Sequence, residues 1–457
     1  NNCYDGHVHW LATGRMSQTL RLETLSGPEA VKSLKVQPHH FRGDWLIGFG
    51  WDQSRWSPPE LPHRKSLDQV FPDFPVYFIR ADGHAAWVNT EALARAGVLR
   101  SNAGNGYARR QGEPFSSLVE TCPCRKDQQA SLKGRMHRDA QGQLSGVLVD
   151  DARSVVTKLI PEPTALQVES SLIEGMRVFH RAGFTHIRDM TCNESQWDKM
   201  VHLFDSEILD LAVAQYFSAE RVEQFDGALD LAKRARKEKL HNVHVEGLKV
   251  FYDGALGSEG ALLSKTYPNS TESGFRLFPK EHLKELMLKA WENDFALAIH
   301  AIGDQAVHEI AESAYEQLQQ GRQKKLHIEH AQVVRPETFE LLKHLDVTLH
   351  FQPCHWLTDR SWLQEKLGEL HAHCFPWQEA QKHQIPFDFG SDSPVETPSF
   401  SATLQALDES AQEGIPPLLG LPQKYHSHPA SDWTPNTYTV FEGSRPREVV
   451  FRGKHLL

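Results

Sequence analysis

Between residues 184 and 392 short apolar runs alternate with longer amphipathic stretches. The runs span 184–190, 209–217, 243–253, 295–303, 326–332, 347–353 and 386–392. They are rich in β-branched and aromatic residues and lack polar alternation, the pattern of strands buried on both faces. Between them, 281–293, 304–319 and 336–345 repeat apolar residues at three- and four-residue spacing, which predicts helices. Strand followed by helix, repeated, predicts βα units and a parallel sheet. A strand carrying His7 and His9 brings the count to eight, that of a (β/α)8 TIM-like barrel. An open doubly wound sheet is the alternative, but no G-x-G-x-x-G turn follows the first strand.

The stretch from about 11 to 180 is too long for one βα connection. The expected organisation is therefore a first barrel strand and loop over 1–39, an inserted subdomain over 40–165, and the rest of the barrel over 166–416. An irregular segment, 417–457, follows. Residues 101–145 are polar and Gly-rich and are expected to be mobile.

Composition narrows the class. The 457 residues are 40% hydrophobic and 24% charged, as in globular proteins. The net charge of −10 argues against nucleic acid and anionic membrane as partners. No apolar run approaches a membrane span and no signal peptide opens the chain, so a cytoplasmic location is expected. Six Cys are too few for a disulfide framework, and Cys122-Pro123-Cys124 has no second Cys pair to complete a metal site.

The candidate chemistry lies at strand ends. Alternate residues of a strand share a face, so His7 and His9 can close on one metal ion. Lys249 sits between Leu248 and Val250, where an ammonium must pair, lose its proton or be modified. His300, His330 and Asp392 end the fifth, sixth and eighth predicted strands. A lone His of this kind is commonly a hydrogen-bonded core residue and Asp392-Ser393-Pro394 can be only a turn. The joint series, all at the face where such barrels carry their sites, favours a metal centre. A metal lowers the pKa of bound water and polarises a carbonyl. Asp392, the only carboxylate in the set, is the candidate proton shuttle.

These residues sit in segments that resemble the amidohydrolase superfamily, in its YtcJ-like (amidohydrolase family 3) branch. The segments are DGHVHW (5–10), GWDQSRW (50–56), RADGHAAWVNTEAL (80–93), GFTHIRDM (183–190), GLKVFYDGALGSEGALL (247–263), IHAIGDQAV (299–307), HIEHAQVV (327–334), FQPCHW (351–356) and FGSDSPV (389–395). The resemblance implies a metal-dependent hydrolase of a non-peptide carbon–nitrogen bond, working by attack of metal-bound hydroxide on a small amide-like substrate. It implies that His7 and His9 bind a buried metal, His300 and His330 a more exposed one, and Asp392 both metal and water. Lys249 falls where relatives carry a carboxylated lysine bridging two metals, with zinc expected. His84, Trp51 and His355 are the candidate substrate contacts, with core packing the alternative for Trp51 and for Trp56. Asp304 is either a helix cap or a partner of His300. A homodimer is compatible with the reading.

Two other readings stay open at this level: a one-metal deaminase-type site with unmodified Lys249, and a silent binding relative that kept the scaffold. The resemblance also implies a small β-sandwich from both chain ends. Here the first-strand motif lies almost at residue 1, while 448–457 looks like a final strand. Segments are therefore expected to be missing before residue 1 and around 418–437.

Overall fold

The structure is a computed structural model that describes residues 3–457, apart from 82, 84, 102–117, 121–134, 269, 421–433 and 444. Cys122-Pro123-Cys124, most of the 101–145 stretch and the expected gap around 418–437 lie largely or wholly outside the described residues. The chain divides into two compact units, one of residues 1–15 with 168–457 and one of 16–167.

The first unit holds an eight-stranded parallel sheet. Its strands are β1 (Tyr4–Val8), β2 (His186–Cys192), β3 (Ala212–Ala219), β4 (Val243–Phe251), β5 (Ala296–Ala301), β6 (Leu326–His330), β7 (Val347–Phe351) and β8 (Phe387–Phe389), hydrogen-bonded in that order. A parallel bridge from Val8 to Ser393 brings β1 against the end of β8, so the sheet is a nearly closed TIM-type barrel. Helices follow the strands, among them Glu281–Glu292, Asp304–Gln319 and Pro336–Leu342. Each buries one apolar stripe, such as Leu283, Leu286, Met287 and Ala290, in a single core that surrounds the barrel.

Two glycines make the closure. A Cβ on Gly6 would lie 2.4 Å from the Asp388 carboxylate, and one on Gly390 would lie 2.4 Å from the His7 nitrogen. Only a residue without a side chain lets β1 and β8 approach this closely. The contact is then made by Asp392 N donating to His7 O at 2.8 Å and His9 N to Ser393 O at 2.8 Å.

The second unit begins at residue 16, earlier than the expected 40, because Leu20–Arg21 pairs with Trp45–Trp51. That strand continues through Val76–Arg80, Ala85–Val88 and Leu144–Val149 to Arg135–Arg138. Alternate residues feed two separate apolar clusters: Val76 and Phe78 enter one, Tyr77 the other. Asn89 ties the unit locally, its Oδ1 accepting from Val76 N and Ala92 N at 3.0 Å each.

The C-terminal segment is more regular than expected. Tyr438–Glu442, Arg445–Phe451 and Lys454–His455 form a three-stranded antiparallel sheet. Among the described residues no strand from the N-terminal end joins it.

Candidate metal centre

The barrel brings six sequence-predicted residues to its C-terminal rim. His7 is on β1 and His9 just after it, Lys249 on β4, His300 on β5, His330 on β6, and Asp392 three residues past β8. Asp392 Oδ1 lies 2.9 Å from His9 Nε2 and 3.3 Å from His7 Nε2. The rings of His7 and His330 are 4.9 Å apart, and those of His300 and His330 4.5 Å. The donor atoms of His7, His9 and Asp392 all fall within 4.8 Å of one another, and so do those of His330, His355 and Asp392. Asp392 is common to both groups. His300 stands outside both, its Nε2 3.6 Å from Asp253 Oδ1.

The rim backbone is strained where it presents these groups. Asp392 has φ +58°, His330 +73° and Ala331 +43°. Such conformations cost of order 1–3 kcal/mol each and persist where surrounding bonds over-determine them. Here the bonds from Asp392 N to His7 O and from Ala331 N to Ala301 O do so, at 2.8 and 3.0 Å.

The second nitrogen of four imidazoles is already engaged. His7 Nδ1 lies 2.5 Å from Glu329 Oε2, His9 Nδ1 3.0 Å from Thr191 Oγ1, His330 Nδ1 2.8 Å from Gln352 Oε1, and His355 Nδ1 3.0 Å from Gln332 Nε2. That leaves Nε2 of His7, His9 and His330 for the centre; His355 joins them when the Gln332 amide presents its oxygen to Nδ1. Nε2 of His7, His300 and His355 and Nζ of Lys249 are buried without a hydrogen bond. Orphaned buried polar atoms cost about 1–3 kcal/mol apiece. A cation accepting their lone pairs would relieve that cost, and a set of imidazoles with one carboxylate suits a divalent metal such as zinc.

The electrostatics agree with ligation at His300 and His330, whereas His7 is held above the ordinary imidazole value, burial and Lys249 being outweighed by Asp392 and Glu329. Burial, reinforced by Lys249, pushes His300 down to about 3, and burial with His300 alongside holds His330 well below the usual imidazole range. Both are neutral, as ligands must be. Burial brings Lys249 down to about 8 against the pull of Glu329 and Asp392, with Arg188 lowering it further. Burial would raise the Asp392 carboxyl, but His7 and His9 hold it well below the usual range.

A family model described as "Amidohydrolase family" matches residues 4–120 and 116–418. The chain belongs to the amidohydrolase family. It is similar to the putative amidohydrolase YtcJ of Bacillus subtilis (strain 168), with 26% identity over 86% of this chain and 69% of that one. It is similar also to Protein LONG AFTER FAR-RED 3 of Arabidopsis thaliana, with 27% identity over 86% of this chain and 65% of that one. The chain thus spans about two thirds of the length of these relatives. Its fold is that of a solved structure from Pyrococcus horikoshii OT3, titled an uncharacterized metal-dependent hydrolase, with TM-score 0.68 and 23% identity. That alignment covers 91% of this chain and 75% of the other. Family membership makes the protein a hydrolase, and its donor set fits a divalent metal cofactor. Among the described residues no helix is long and apolar enough to cross a membrane.

Other site candidates of this amidohydrolase are placed differently. His84 lies outside the described residues. Trp51 is fully buried inside the second unit, packed against Trp56 and Trp87, with its Nε1 donating to Phe78 O at 2.8 Å. It has no surface left for a ligand, so packing, the alternative reading, describes it. Asp304 takes neither expected part: its Oδ1 accepts from Ser264 N at 3.0 Å and its Oδ2 pairs with Arg335 at 2.9 Å. His355 Nε2 is 3.6 Å from Asp392 Oδ2, close enough to join the donor set rather than only a substrate pocket.

Three buried charges escaped the sequence reading. Glu329 and Arg188 pair behind His7 at 2.8 Å. Asp253 accepts from Ile302 N, Gly303 N and Leu262 N at 2.9–3.0 Å, fastening the loop after β4 to the end of β5. All three are charges within apolar runs, the signal that singled out Lys249.

A cavity of about 1040 Å³ opens beside His9, lined in part by Arg15, Thr191, Glu220 and Phe251. It matches the upper range of small-molecule sites.

Proposed function

We propose that the protein hydrolyses a carbon–nitrogen bond, other than a peptide bond, in a small amide-like molecule, with zinc held at the barrel rim. The observation that carries this is the convergence of His7, His9, His330 and His355 on the Asp392 carboxylate in two overlapping donor groups. Two overlapping donor groups that share Asp392 favour two metal ions, and a carbamate of Lys249 would supply a further anionic ligand. The family's name and that of its Bacillus relative support amide chemistry.

A bound divalent metal would supply Lewis acidity and a water of lowered pKa. The chain supplies the rest. Asp392 Oδ2, facing His355 Nε2 at 3.6 Å, is placed to take a proton from water and return it to the leaving nitrogen. Thr191 and Phe251 give the cavity beside His9 one polar and one aromatic wall for a substrate.

The test is a hydrolysis screen of N-acyl, N-formyl, cyclic amide and ester compounds with defined zinc loading. Turnover of an amide that is lost in His7→Ala and Asp392→Asn supports the reading. Metal binding without turnover of any compound would favour a silent binding relative.

A further inference from the structure

We propose that Glu329 and Arg188 are positioning residues that hold His7 as a metal ligand through a buried charge relay across the barrel. The inference rests on the metal-centre reading above and concerns residues that touch neither metal nor substrate. Glu329, on β6, is fully buried. Its Oε2 lies 2.5 Å from His7 Nδ1. Arg188, on β2 and almost fully buried, donates Nη1 to Glu329 Oε2 at 2.9 Å and pairs with Oε1 at 2.8 Å. The same Nη1 reaches Gly6 O on β1 at 3.3 Å, and the guanidinium lies 4.2 Å over the Tyr216 ring on β3. Four strands are thereby cross-linked around one imidazole.

Cost points to a role beyond packing. A buried ion pair loses hydration that its Coulomb attraction barely repays, and apolar residues of similar volume often serve stability as well or better. A carboxylate on Nδ1 has a specific effect that an apolar residue lacks. It fixes the proton on Nδ1, leaves the Nε2 lone pair for the metal, and raises the ligand's basicity. His9, by contrast, has only the neutral Thr191 hydroxyl on its Nδ1. The relay therefore makes His7 the most firmly oriented of the rim imidazoles. Arg188 in turn holds the carboxylate against His7.

The test uses the full-length chain, stripped of metal and titrated with zinc against a chromophoric chelator, then with cobalt for its visible absorption spectrum. Glu329→Gln keeps the side-chain shape and removes the charge. The expected result is a loss of affinity at the His7–His9–Asp392 group of about 10- to 100-fold, with a changed cobalt spectrum and unchanged far-UV circular dichroism. Arg188→Lys, which keeps the charge but not the planar fork, should shift both readouts the same way by less. Glu309→Gln is the control: Glu309 is a buried acid paired with Arg276 and Tyr252 and belongs to neither donor group. It should lower thermal stability and leave metal affinity and the cobalt spectrum alone. Wild-type affinity and spectrum in both Glu329→Gln and Arg188→Lys would overturn the relay while leaving the metal reading intact. If Glu329→Gln fails to fold, the Arg188→Lys titration decides. A wild-type chain that binds neither metal would overturn both.

Discussion

A Cβ added at Gly390 would stand 2.4 Å from the backbone nitrogen of His7. Catalytic geometry and barrel closure therefore share one contact. Gly390→Ala should push β1 from β8, costing about 1–3 kcal/mol as overpacking does, and should weaken metal binding more than a comparable change on the outer surface. Thermal denaturation and metal titration of the same variant check this. An unchanged affinity in a folded Gly390→Ala chain would separate closure from the site.

Metal removal should destabilise as well as inactivate. Several buried polar atoms at the rim, Nε2 of His300 and Nζ of Lys249 among them, make no hydrogen bond without an ion. A ligand at a thousandfold excess over its dissociation constant stabilises by about 4 kcal/mol. Chelation should lower the melting temperature by several degrees, and zinc should restore it. An identical melting curve before and after chelation would count against a site built from these residues.

Lys249 decides between one and two metals. Fully buried and brought down to about 8, its amine is available in neutral form near physiological pH. As a carbamate it would add an anionic bridge, so Lys249→Met should reduce metal content from two ions per chain to one. Reloading of wild-type apoprotein should speed up with added bicarbonate. One ion in both proteins, with no bicarbonate effect, would favour the mononuclear deaminase-type reading.

His355 can be sorted by kinetics. If it only orients Asp392 or substrate, His355→Ala should keep the metal content and lower kcat/KM by about 10- to 1000-fold, as loss of an orienting group does. If it is a ligand, metal content should fall too. Elemental analysis beside steady-state kinetics distinguishes the two.

Acid stability should report His180, far from the rim chemistry. Burial pushes its imidazole down to about 4, while its Nε2 faces Asp210 O at 2.9 Å. The unfolded chain takes up this proton near pH 6.5, the folded chain only near 4. Stability from this group is therefore complete above pH 6.5 and drains away as the pH falls toward 4, by roughly 2–3 kcal/mol in all. His180→Gln should flatten the denaturation midpoint over that window. An equally steep acid limb in the variant would place the titrating group elsewhere.

Much of this was legible in the chain. The seven apolar runs from 184 to 392 each overlap a barrel strand, because strands covered on both faces are largely apolar. His7, Lys249, His300, His330 and Asp392 stood out because polar groups inside or at the ends of such runs need partners. Arg188 and Glu329 carried the same signal and were passed over, since the groups that neutralise them, each other and His7, lie on different strands. The second unit was less legible: Leu20–Arg21 joins a sheet whose next strand lies more than twenty residues on, and short-range periodicity does not see that pairing. Trp51 also shows the limit, because an aromatic residue has the same pattern in a pocket wall as in a core.

Sequence alone determined the alternation of strand and helix, and with it the rim on which one residue per strand end would gather. Periodicity and burial are local properties, so they survive in the linear code. Only the tertiary structure decided that Gly6 and Gly390 close the ring, that Asp392 faces four imidazoles, and that Glu329 stands behind His7. Those facts depend on distances between residues tens to hundreds of positions apart, which are fixed by packing rather than by any pattern along the chain.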